Sequence, residues 1–118
     1  LVVDDSPTEM FRFEEILNKN GFTVLEATNG ADGVTVAQAE QPDLVLMDVV
    51  MPGVNGFQAT RQIARGEKTK HIPIVIVSTK DQATDRVWGK RQGASDYLTK
   101  PVDENKLIEV IRQYINAG

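Results

Sequence analysis

The chain contains no cysteine. That excludes disulfides and thiolate metal centres, and it fits a reducing, cytoplasmic setting. Histidine is almost as scarce: His71 stands alone before Pro73 and reads as a solvated loop residue. A single imidazole supports neither a histidine metal cluster nor a nucleophile–base triad. Long apolar runs are missing too. Stretches such as Leu44–Met47 and Ile74–Val77 fall far short of a membrane span, and no signal-peptide pattern opens the chain. The net charge of −4 speaks against nucleic acid as main partner, because phosphate contacts need clustered Lys and Arg. No repeat, low-complexity tract or linker interrupts the sequence. What remains is one domain over residues 1–118, of ordinary soluble composition and long enough to bury a core.

Strand and helix patterns alternate along it. Leu1–Val3 reads as the tail of a first strand that begins before the chain does. Ser6-Pro7-Thr8-Glu9 reads as a helix start, with Ser6 as cap, Pro at the first helical position and Glu at the third. Met10, Phe13, Ile16 and Leu17 form its apolar stripe, and Asn20-Gly21 stops it. Thr23–Glu26 is a second, mixed strand, followed by a helix over Ala31–Glu40 with Ala31, Val34 and Ala37 on one face. Leu44–Met47 is the third strand, and Met51–Gly56 a loop. Phe57, Thr60, Ile63 and Ala64 mark a third helix, and Ile74–Val77 a fourth strand. Gln82–Gln92 reads as helix four, Asp96–Leu98 as a short fifth strand, and a last helix starts near Asp103.

Strands one, three and four are continuously apolar, as strands covered on both faces should be. Strands two and five are mixed, which suits sheet edges. With right-handed crossovers the pattern predicts an α/β fold: a doubly wound, five-stranded parallel sheet of order 2-1-3-4-5 with five helices. That order brings Asp4-Asp5, Asp48 and Ser78 side by side at the carboxyl edge, and Lys100 arrives there from strand five.

Neighbouring carboxylates repel and raise each other's pKa, a conflict that a hard cation removes. Mg²⁺ suits such a site, since it takes one or two carboxylates, keeps waters and leaves room for phosphate oxygens. The chemistry this sets up is phosphoryl transfer to a carboxylate. Asp48 is the best acceptor, at the middle strand before a loop. Lys100 offers a point charge to a phosphoryl oxygen, and Ser78 a hydroxyl donor to another.

In this order and spacing, Asp4-Asp5, Asp48 with Met51-Pro52-Gly53 and Gly56, Ser78, and Lys100-Pro101 resemble the CheY-like receiver domain of bacterial response regulators. The resemblance spans the whole chain and implies a flavodoxin-like fold. It implies Asp48 as phosphoacceptor, with Mg²⁺ held by Asp5, Asp48 and the Val50 carbonyl, and by Asp4 through water or hydrogen bonds. It implies Ser78 and Lys100 on the phosphoryl group, Tyr97 as the switch aromatic coupled to Ser78, and a cis Lys100–Pro101 bond. Val50 and Lys80 occupy positions that shape water's access to the phosphoryl group. The implied partners are a histidine kinase or its phosphotransfer domain and an output protein. Such a chain is a stoichiometric acceptor that catalyses its own phosphorylation and dephosphorylation, and it is expected to be a monomer.

Within the family, Gly56–Gln62, Thr79–Gln82, Trp88–Ala94 and Asp96–Pro101 resemble a stand-alone receiver of the chemotaxis-like pathway controlling type IV pili and twitching motility. A flagellar-chemotaxis-type regulator and a phosphate sink are the alternatives inside the class. No DNA-binding segment follows within the chain, which reads as a regulator that does not act on DNA.

Blander readings stand beside these. Asp4-Asp5 can be a helix N-terminal acidic pair, and Tyr97 plain edge-strand packing. Trp88 can pad the core or stand exposed as an anchor. Lys90 and Arg91 read as a solvated basic patch. A Mg²⁺-dependent phosphatase would want a second acid two residues past its nucleophile, where Val50 stands. A nucleotide- or flavin-binding fold would want a Gly- or hydroxyl-rich loop where Asp4-Asp5-Ser6-Pro7 stands. A pseudo-receiver would not need the full set of acids, hydroxyl and lysine.

Overall fold

Alternating side-chain parity on the strands organises the molecule into a sheet between two helical layers. The structure is a computed structural model describing residues 1–51, 53 and 55–115; Pro52 and Val54 of the loop, and residues 116–118, lie outside it. Five strands form the sheet: β1 (Val2–Val3), β2 (Glu26–Ala27), β3 (Val45–Met47), β4 (Ile74–Ser78) and β5 (Asp96–Thr99). Five helices alternate with them: α1 (Pro7–Lys19), α2 (Gly30–Glu40), α3 (Gly56–Arg65), α4 (Ala83–Arg91) and α5 (Glu104–Ile115). Every pairing is parallel and the order is β2-β1-β3-β4-β5, as the sequence pattern predicts.

Because successive strand residues face opposite sides, Val2, Leu46, Val75, Val77 and Leu98 pack with Phe13, Leu17, Leu107 and Ile111 of α1 and α5. Val3, Val45, Met47 and Ile74 pack instead with Val34, Ala37, Ala59 and Ile63 of α2 and α3. Ile76 and Tyr97 share a smaller cluster with Val49 and Ala94. Tyr97 therefore belongs to the α3–α4 side of the sheet, and its neighbour Leu98 to the α1–α5 side.

Local signals fix the helix starts. The Ser6 hydroxyl accepts from the Glu9 N–H at 3.3 Å, with Pro7 opening α1, so the expected cap forms. Asn55 and Gln58 close a reciprocal capping box on α3, and Asp103 accepts from the Lys106 N–H at 3.1 Å to cap α5.

Three expectations are corrected. Strand two is Glu26–Ala27, not Thr23–Glu26. Its ladder is set by β1, whose Val2 N–H bonds Leu25 O and whose successor Asp4 bonds Ala27 O. Ala31 is exposed, and the buried face of α2 is Gly30, Gly33, Val34 and Ala37. The helix turns that way because Gly33 lies on Val3, where a Cβ would meet a Val3 methyl at 2.9 Å. Strands four and five each run one residue further, to Ser78 and Thr99, whose backbones pair.

Candidate functional site

Val3 of β1 pairs with Met47 of β3, so the residues that follow, Asp4 and Asp48, leave adjacent strands side by side. Backbone bonding continues into the acids, since the Asp48 N–H donates to Val3 O at 2.9 Å. Asp4 and Asp48 are buried, while Asp5 is exposed. Carboxylate oxygens from Asp4, Asp5 and Asp48 all lie within 4.8 Å of one another, the convergence that the sequence predicts.

Lys100 reaches this edge from β5. Its backbone N–H donates to Ser78 O at 2.8 Å, and the bond to Pro101 is cis, as expected. Its ammonium donates to Asp4 Oδ2 at 2.8 Å and lies 3.9 Å from Asp48 Oδ1. The second Asp4 oxygen accepts from the Ser6 N–H at 2.9 Å. Asp4 is thus well bonded, whereas among the described residues the Asp48 carboxylate accepts one long hydrogen bond, 3.4 Å, from the Val50 N–H. Burial raises the Asp48 pKa from 3.8 to about 6. Lys100 opposes that shift, Asp4 adds to it, Val50 opposes it weakly, and Asp5 adds last.

One ammonium among three converging carboxylates leaves the site short of positive charge. The donors are oxygens, the ligand class of a hard divalent cation, and two of the three are buried. The residues present therefore fit Mg²⁺. Val50 turns its side chain out, 53% exposed, on the site's rim.

Gly56 has a steric role beyond the motif. At the first position of α3, a Cβ there would fall 2.0 Å from the Asp48 carbonyl oxygen and 2.5 Å from Val49 Cα. Only glycine lets the helix start against the backbone that carries Asp48.

Ser78 ends β4 fully buried. Its oxygen accepts from the Lys80 N–H at 3.1 Å, which leaves its own proton to donate. Tyr97 is 3% exposed, and its hydroxyl donates to Lys80 O at 2.7 Å. The Lys80 backbone thereby touches both Ser78 and Tyr97. Burial raises the Tyr97 pKa above its ordinary value, which keeps that hydroxyl a donor.

Two residues of the site escape sequence reasoning: Arg86 and Gly89 of α4, which lie over the Tyr97 ring. Other surface readings are resolved. Trp88 is exposed, 49%, beside exposed Val87. Thr79, Lys90, Arg91 and His71 are exposed as well. No described helix is long and apolar enough to cross a membrane.

A parallel 2-1-3-4-5 sheet with an acid pair, a third strand-end acid, a hydroxyl and a lysine on its carboxyl edge defines a two-component signalling receiver. The chain belongs to the response regulator receiver domain family, which it matches over residues 1–112. It is 63% identical over 111 residues to protein PilH of Pseudomonas aeruginosa, covering 94% of this chain and 92% of that protein. It is 38% identical over 112 residues, 95% of its length, to the response regulator PleD of Caulobacter vibrioides, where the match takes up 25% of the relative.

Solved structures agree. The receiver domain of a Pseudomonas aeruginosa sensor histidine kinase, described with a magnesium ion coordinated in its active-site cleft, superposes with a TM-score of 0.91 at 28% identity. That match covers 98% of this chain and 95% of the other. The beryllofluoride-activated receiver domain of RstA from Klebsiella pneumoniae gives 0.89 at 29% identity, covering 97% and 95%. Receiver domains are signalling partners of histidine kinases rather than turnover enzymes.

Proposed function

We propose that the chain is a phosphorylation-switched signalling protein in which Asp48 accepts a phosphoryl group from a kinase or phosphotransfer-domain phosphohistidine. The meeting of Asp48, Asp4, Asp5, Ser78 and Lys100 at one sheet edge carries this reading. An Asp48 oxygen attacks phosphorus, a P–O bond forms, and the P–N bond to the imidazole breaks. The imidazole, protonated on its other nitrogen, leaves as a neutral ring holding the electron pair. Asp48, with a pKa of about 6, is largely ionised at pH 7 yet more basic than an ordinary carboxylate, which favours attack.

Asp5, Asp48 and the Val50 carbonyl would hold Mg²⁺ directly and Asp4 through water or hydrogen bonds; when bound, the ion supplies charge neutralisation to the phosphoryl oxygens. Lys100, 3.9 Å from Asp48, is placed to shift toward a phosphoryl oxygen, and the Ser78 hydroxyl to donate to another. Tyr97, tied through Lys80 to Ser78, would pass the change to the surface of α4, β5 and α5. Water attack later restores Asp48, so the protein acts once per event.

Similarity to PilH supports a place in a chemotaxis-like pathway controlling type IV pili and twitching motility. The chain would act there as a cytoplasmic monomer on an output protein of the motility machinery. Amide NMR with Mg²⁺ and then beryllofluoride, a phosphoryl mimic, tests the core of this reading. Shifts at Asp4, Asp5 and Asp48 with Mg²⁺, then at Ser78, Tyr97 and α4 in wild type but not in Asp48→Asn, are expected. Mg²⁺ binding with no response to beryllofluoride would overturn it.

A further inference from the structure

Arg86 and Gly89 stand three residues apart on α4, so they share the face turned to β5. Gly89 is buried, and a Cβ there would lie 3.2 and 3.3 Å from two Tyr97 ring carbons and 2.9 Å from the Ile76 methyl end. The helix backbone thus rests directly on the ring. Arg86 closes the ring from outside. Its Nη1 donates to Tyr97 O at 3.2 Å, its Nη2 to Thr99 Oγ1 at 2.7 Å, and its guanidinium carbon lies 5.3 Å from the ring centre.

We propose that Arg86 is a positioning residue that holds Tyr97 in its buried rotamer and thereby raises the chain's readiness to take a phosphoryl group. The proposal deepens the reading of Asp48 as acceptor and Tyr97 as switch, and rests on it. The fork to the β5 backbone and Thr99 does not depend on where the ring points. The stacking does, and with it the hydroxyl bond to Lys80 O. Those ring-dependent contacts make the two rotamers unequal, and only unequal contacts shift a population. Lysine cannot substitute fully, because a point charge lacks the planar fork that sets the guanidinium over the ring.

The buried rotamer places the Tyr97 hydroxyl on the residue whose N–H binds Ser78. By linkage, whatever favours that arrangement favours the ligand that Ser78 engages, and the converse.

The test compares wild type, Arg86→Met and Arg86→Lys by Tyr97 side-chain couplings in NMR and by beryllofluoride titration with Mg²⁺. Arg86→Met is expected to populate an outward Tyr97 rotamer and weaken beryllofluoride binding about 5- to 10-fold, the low end of the usual range of site coupling. Mg²⁺ affinity is expected to stay unchanged, and Arg86→Lys to recover part of the loss. In a Tyr97→Ala background, Arg86→Met is expected to cost nothing further. An unchanged rotamer, or an equal loss in the Tyr97→Ala background, would overturn the proposal. If Arg86→Met fails to fold, Thr99→Val removes one acceptor of the fork and is expected to act in the same direction, with an unchanged rotamer again overturning the idea. Failure of wild type to bind beryllofluoride would instead sink the Asp48 reading, and the ligand-free rotamer measurement would still decide what Arg86 does.

Discussion

The ammonium of Lys100 is bonded to an oxygen of Asp4 at 2.8 Å, joining the residues that follow the fifth and first strands. Both side chains are buried, with 9% and 2% exposed. The pair therefore neutralises Asp4 first, while the same ammonium, 3.9 Å from Asp48, is the main influence opposing the rise of the Asp48 pKa.

Lys100→Met removes the cation and leaves the acids facing one another. Removing one partner of a buried pair costs roughly 3–5 kcal/mol. Proton uptake by Asp48 and the exposure of Asp5 reduce that here, so a loss of about 2–3 kcal/mol is expected in urea unfolding with chelator. Saturating Mg²⁺ should recover most of it. An equal deficit with and without Mg²⁺ would mean that Lys100 does not offset carboxylate charge.

The raised Asp48 pKa makes metal-free stability fall with pH. Between 3.8, the ordinary value, and about 6, the folded chain holds the Asp48 proton and the unfolded chain has lost it. The Asp48 contribution to stability therefore decreases as pH rises through that window, by on the order of 3 kcal/mol. Asp48→Asn, which cannot ionise, should lack this component and be the more stable protein at pH 7 in chelator. Parallel stability curves for the two proteins from pH 4 to 7 would refute the assignment.

Gly56→Ala forces a Cβ into the Asp48 carbonyl at 2.0 Å. Backbone, unlike a flexible side chain, has nowhere to go, so α3 must back away from the β3 end. A loss of about 2–3 kcal/mol is expected, in the range of overpacked cores. Mg²⁺ affinity should fall with it, because the strain falls on Asp48, a proposed ligand of the ion. Wild-type Mg²⁺ binding in a destabilised Gly56→Ala would show that the strain relaxes elsewhere.

Thr60 offers the opposite case. It is fully buried on α3, and its hydroxyl finds no hydrogen-bond partner among the described residues. Thr60→Val keeps the shape and deletes the unpaired group, so it should stabilise the fold by about 1 kcal/mol. Calorimetry showing a lower Tm would point to a buried water on that hydroxyl.

The sequence made the strand order and the acid, hydroxyl and lysine positions legible, because each rests on a strong local signal. Apolar runs mark the central strands, and each is followed at once by a polar residue that the sheet then delivers to one edge. The α1 start was readable from Ser6, Pro7 and Glu9 for the same reason. Edge strand β2 was not. Its Val24-Leu25 pair looks strand-like, but pairing depends on where β1 ends, which no property of residues 23–27 reveals. On α2 the pattern marks Val34 and Ala37 correctly but puts Ala31 in place of Gly30 and Gly33, because glycine carries no hydropathy signal and it is Gly33 that meets Val3. Arg86 and Gly89 escaped for a related reason: a charged residue and a glycine on a mostly polar helix look solvated until β5 is seen beneath them.

Trp88 is the chain's sole tryptophan, and it stands half-exposed on α4, one residue before the glycine that rests on Tyr97. Indole emission responds to its surroundings, so this helix carries a built-in optical reporter. Activation is expected to be followed in real time in a stopped-flow fluorimeter, on unlabelled protein. The same signal should respond to a partner that covers α4, which turns one exposed side chain into an assay for both steps of the switch.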